Sequence, residues 1–140
     1  MYLTRFQKLC LGLSGATALV IGVSIALAPH AFFAGYGIAL GQDPNLLSEL
    51  RAPGAGLVAL GAIMLAGILR AAMAPISIVT AFAVYLAFPV GRIVGIVMDG
   101  MPSAPVLSAM VFEIAIAIVL FVAFGRQRNA ADTKLDLASQ

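Results

Sequence analysis

The sequence predicts an all-α fold: an integral membrane protein built as an antiparallel four-helix bundle, with its N- and C-termini cytoplasmic. Three observations carry this. Of the 140 residues, 62% are hydrophobic and only 10% charged, and the mean hydropathy is +1.08. Water-soluble domains carry about 25% charged residues, so a soluble chain of this composition would expose large apolar patches. The apolar residues collect in four runs, each near the roughly 20 residues that a helix needs to cross a bilayer. The runs show no polar–apolar alternation, so they form helices, which satisfy their own backbone in lipid.

The first span lies near Phe6–Ala28. Its apolar stretch, Leu9–Leu27, is longer than the core of a signal peptide, and it is expected to stay with the protein despite the small-residue end "ALAPH". The outer segment 29–46, "PHAFFAGYGIALGQDPN" with its flanks, holds Phe32, Phe33 and Tyr36, rings that suit the headgroup region. A short interfacial helix or re-entrant turn is expected there, with Asp43 or Asn45 capping the start of the second span. That span runs near Leu47–Arg70. Pro53 cannot donate to the Glu49 carbonyl and Gly54 comes directly after it, so a break is expected at that point. The third span, near Ala74–Met98, contains Pro89, which frees the Tyr85 carbonyl and predicts a kink close to Arg92. The fourth span is near Ala104–Gly125. Residues 1–125 thus form the transmembrane domain, and 126–140, "RQRNAADTKLDLASQ", a polar, mobile cytoplasmic tail.

Basic residues set the orientation. Arg5, Lys8, Arg70, Arg126, Arg128 and Lys134 all fall on one side, and the loops 29–46 and 99–103 contain no Lys or Arg. The positive-inside rule then places both termini in the cytoplasm. Arg51 and Arg92 sit within spans. The net charge of +2 rests on few residues and gives no nucleic-acid signal. The single cysteine, Cys10, excludes an intramolecular disulfide and reads as a packed hydrophobe.

Lipid removes most of the hydrophobic drive between helices, so close contact needs small residues. The second span offers Ala52, Ala55, Ala59, Ala62 and Ala66; the third offers Ala83, Ala87, Gly91 and Gly95; the first offers Gly15, Ala18 and Gly22. Ala55, Ala59, Gly91 and Gly95 are the expected packing positions.

The candidate site is a set of charges in the outer half: Glu49, Arg51, Arg92, Asp99 and Glu113. The helical rise puts Arg92 roughly 10 Å and Glu113 roughly 15 Å below the outer surface. A central Arg or Asp costs about 2.5–3.5 kcal/mol on insertion scales, so such groups must meet partners or water. Glu113 has Arg92 or Arg51 to pair with, Arg92 has Glu113 or Glu49, and Asp99 caps the outer end or faces water. Two readings compete: a structural lock that fixes helix register, or a pocket open to the outer side that takes a polar head group. The pocket suits a lipid, quinone-like or isoprenoid amphiphile. The alternative is an accessory subunit or homo-oligomer contacting other transmembrane helices. No metal cluster, dinucleotide fingerprint, P-loop or catalytic serine motif is present in the sequence, so no cofactor is expected, and a membrane-embedded enzyme with Glu113 as acid or base on a lipid is the least favoured reading.

"NLLSELRAPGAG" after an aromatic outer loop, then "GRIVGIVMDGMPS", then a lone glutamate in the last span, resemble an uncharacterised family of small bacterial inner-membrane proteins. The resemblance covers nearly the whole chain and implies four helices, a bacterial inner-membrane location and a domain of unknown function. The bundle is also similar in general form to the DoxX-like small membrane proteins.

Overall fold

The computed structural model describes residues 2–138, with side chains for residues 2–125. Five α-helices arise from local signals. Helix α1 (Arg5–Leu27) starts in a capping box: the Thr4 hydroxyl accepts from the Gln7 N–H at 3.2 Å, and the Gln7 side chain accepts from the Thr4 N–H at 3.0 Å. Helix α2 (Pro29–Ala34) is the short element expected in the first loop. Asp43 caps α3 (Pro44–Leu69), accepting from the Asn45 N–H at 3.1 Å. A 3-10 turn, Ala71–Met73, leads into α4 (Ala74–Asp99). Gly100 ends α4 at φ +99°, a conformation that side-chain-bearing residues rarely adopt. Helix α5 (Ala104–Ala138) completes the chain.

Four of these helices are long and apolar enough to cross a membrane: Arg5–Leu27, Pro44–Leu69, Ala71–Asp99 with the 3-10 turn included, and Ala104–Gly125. The protein is a multi-pass membrane protein with an all-α four-helix architecture. One local expectation changes. Helix α3 runs unbroken through Pro53. The freed Glu49 carbonyl lies near the exposed end of the helix, where water or headgroups can satisfy it. Helix α5 extends through Ala138, into the segment 126–140 expected as a polar tail. The side chains of residues 126–138, and all of 139–140, lie outside the described residues.

The helices form a ring in the order α1, α3, α4, α5, with α1–α3 the most extensive interface and, among the described residues, no close backbone approach between α3 and α5. The packing of α1 on α3 corrects the small-residue assignment. Ala55 and Ala59 are exposed, and a Cβ on Gly91 or Gly95 would meet nothing within 4 Å. The close approach runs through glycines instead. A Cβ on Gly22 would stand 2.7 Å from the Gly54 carbonyl oxygen, and one on Gly61 would stand 2.8 Å from that of Gly15. Glycine leaves more room than alanine, so the two backbones themselves come into contact, and α3 presents its Gly54, Leu57, Gly61 and Met64 face. Helix α4 likewise buries Ser77, Ala81, Val84 and Tyr85 rather than Ala83 and Ala87.

The two ends of the bundle differ, and are named here the α2 end and the turn end, the latter holding Ala71–Met73. The turn end is filled. Leu11, Met64, Ala81 and Leu120 are buried there. Gln7 Nε2 donates to the Ala123 carbonyl at 2.8 Å, and the Ser77 hydroxyl donates to that of Ile63 at 2.6 Å. The α2 end is looser. No residue of α4 beyond Pro89, and no residue of α5 before Ala117, is buried. The α1–α3 pair stays closed along its length while the α4–α5 pair splays from it.

Candidate functional site

The splay leaves a cavity of about 630 Å³ between the helices at the α2 end. Leu57 and Tyr85 line its deep part, and the Tyr85 hydroxyl is tied to the Ser14 carbonyl at 2.8 Å. Its walls are largely apolar, with Ile21, Phe88 and Phe112 among them. Phe32, Phe33 and Tyr36 line it from α2 and the adjoining loop. The Phe32 and Phe33 rings meet edge to face at 5.3 Å, an arrangement that their quadrupoles favour. The Ser103 hydroxyl donates to the Tyr36 carbonyl at 3.2 Å, which links this cover to the start of α5.

One ion pair faces this space. Arg92 Nε donates to Glu113 Oε2 at 2.9 Å, and Nη2 donates to Oε1 at 2.8 Å. The fork-on-fork geometry is the strongest form of this contact. The two side chains retain 26% and 13% of their exposure, and both line the cavity. Arg92 belongs to α4 and Glu113 to α5, so the pair staples the two helices where neither is buried. Among the described residues it is the one salt bridge.

The remaining charges do not join it. Arg51 reaches the other way: its Nη1 donates to the Ala26 carbonyl at the end of α1. Carbonyls in a last helical turn lack intrahelical donors, and a cation there also complements the helix dipole. Glu49 and Asp99 are exposed, and their carboxylates make no hydrogen bond to a described side chain or backbone group. His30 contacts the Gly41 carbonyl at 3.2 Å within the loop. Of the five charged candidates, the structure brings two together. The apolar wall residues Leu57, Phe88 and Phe112 carried no polar signal, the hydroxyls of Thr17 and Tyr85 are ordinary within a span, and only the arrangement of the helices brings them together.

A second hollow of about 530 Å³ runs along the outside of α4 and α5, from Tyr85 and Pro89 to Phe121. Among the described residues no charged side chain lines it. Among the described residues, no group of three His, Cys, Asp or Glu is placed to hold a metal ion.

A four-span helical membrane protein with one ion pair beside an apolar cavity is the class that fold and site define. Residues 6–124 match the family described as a domain of unknown function (DUF4345), and the chain belongs to that family. No curated protein and no solved structure matches the chain.

Proposed function

We propose that this protein binds a lipid-like amphiphile in the cavity at the α2 end, and holds or moves it within a bacterial inner membrane. One observation supports this above the others: a cavity of about 630 Å³ that is apolar except around one ion pair. Ligand sites are of this kind, concave and mostly apolar, with a few placed polar groups that fix orientation. The pair is direct, as a structural lock requires, yet it borders open volume, which a lock alone does not need. The deciding experiment is native mass spectrometry after extraction in mild detergent. The wild type should carry an added lipid-range mass, and Ala109→Trp, which fills the cavity from its wall, should lose it. Bare masses for the wild type would end the binding reading.

The positive-inside asymmetry supports placing the α2 end outside, with both termini cytoplasmic. A cysteine at Ser103 is then expected to react with a membrane-impermeant maleimide in intact cells. The buried Cys10 leaves a low background. Labelling only after the cells are opened would reverse the topology.

A second reading, a subunit of a larger complex or a homo-oligomer, draws on the small residues Ala52, Ala55, Ala59 and Ala62, which α3 leaves exposed. Strictly monomeric, partner-free masses in the same spectra would count against it.

A further inference from the structure

We infer that the cavity selects neutral amphiphiles whose head both donates and accepts a hydrogen bond, such as an alcohol or a primary amide, and rejects anionic heads. This rests on the binding reading above and specifies the ligand.

The charge of the walls comes first. Among the described residues, Arg92 and Glu113 are the only ionic side chains lining the cavity, and together they give its walls a formal charge of zero. The other cation of the same half, Arg51, is engaged with the Ala26 carbonyl and does not line it. Arg92 alone would make an anion site. Here Glu113 already occupies both the Nε and Nη2 edges of the guanidinium through two bonds. An anionic head entering beside it meets a carboxylate at close range. It must either displace Glu113 from a bidentate contact, or place an unbalanced charge among Phe32, Phe88 and Phe112. Both are strongly unfavourable away from water.

A neutral head faces neither penalty. A guanidinium has five N–H donors. The pair uses one on Nε and one on Nη2, and Nη1 has no hydrogen-bond partner among the described residues. Among those residues no buried side-chain nitrogen or oxygen lacks a partner, so Nη1 is open to the space around it. Each carboxylate oxygen accepts one of the two bonds and has a second lone pair. The staple therefore presents donors and acceptors side by side. A hydroxyl that accepts from Nη1 and donates to the Glu113 carboxylate satisfies both without breaking the pair. The apolar walls take the tail.

Two probes with one tail isolate the head: hexadecanol and hexadecyl phosphate, offered in equal amounts to the purified full chain and read by native mass spectrometry. At least tenfold higher occupancy by the alcohol is expected, lost in Ala109→Trp. Equal or greater occupancy by the phosphate overturns the selectivity and leaves cavity binding standing. Binding of neither probe, or alcohol binding that survives Ala109→Trp, overturns the cavity reading itself. In Glu113→Gln the guanidinium loses its counter-charge, and the occupancy ratio should move at least tenfold toward the phosphate. An unchanged ratio in the folded variant overturns the role given to the pair. The wild-type comparison stands alone if that variant fails to accumulate.

Discussion

Gly61→Leu should abolish the folded bundle or lower its stability by about 3 kcal/mol or more, at the upper end of the effect of overpacking a closed interface. Even the first side-chain atom has no room. A Cβ at this position stands 2.7 Å from the Leu19 nitrogen and 2.8 Å from the Gly15 carbonyl oxygen. These are backbone atoms of α1, and they cannot swing aside as a side-chain tip can. Relief requires α1 to move away from α3, which opens the Gly22–Gly54 contact as well, because the same two rods carry both. Ala59→Leu is the control. It adds a similar apolar bulk to the same helix at an exposed position, and should change stability by no more than about 0.5 kcal/mol. Thermal unfolding in detergent, monitored by size-exclusion fluorescence, compares the two. Equal midpoints would mean that α1 and α3 are not in backbone contact at Gly61.

That contrast also shows where the sequence is ambiguous. The four spans were legible because lipid imposes a length and a composition on each, and their limits agree to within a few residues with the four helical segments long and apolar enough to cross a membrane. The packing face of α3 was not. Its alanines at 52, 55, 59 and 62 and its glycines at 54 and 61 both step at helical spacing. Spacing alone ranks the longer alanine series first. The distance of approach decides for glycine, and it depends on the partner: Gly15 and Gly22 of α1 repeat at the same interval as Gly54 and Gly61 and meet them in antiparallel order. The match between two separated segments is visible only when they are set side by side.

The charges divide in the same way. That Arg92 and Glu113 need partners is a consequence of the energetics of charge in lipid, and the choice between Arg51 and Arg92 for Glu113 depends on helix rotation and depth. Arg51 finds a nearer acceptor in the Ala26 carbonyl, because the close α1–α3 packing brings the end of α1 beside it. A pocket beside the charges was one of two readings of the sequence, but its apolar walls had no local signature. It arises because Gly-mediated closure holds α1 and α3 together while α4 and α5 pack onto them only at the turn end.

Arg92→Ala should destabilise the bundle by about 3 kcal/mol, and Glu113→Gln by only about 1 kcal/mol, although each removes one member of the same pair. The two substitutions leave different remainders. Alanine at 92 leaves the Glu113 carboxylate, 13% exposed, facing an apolar cavity without its cation, and it removes the large side chain that spans from α4 to α5. Glutamine at 113 keeps the volume and an oxygen that still accepts from Arg92 Nε or Nη2. The arginine is the more exposed partner, at 26%, so its charge is the less costly of the two to leave without its counter-ion. The double variant Arg92→Ala/Glu113→Gln separates repulsion from lost contact. If the stranded carboxylate is the main penalty, the double variant should be more stable than Arg92→Ala alone, since no charge remains. If the staple itself holds the splayed halves of α4 and α5, the double variant should be no better. Unfolding midpoints of the three variants and the wild type decide this, and midpoints of Arg92→Ala and Glu113→Gln both equal to that of the wild type would show that the pair contributes through neither route.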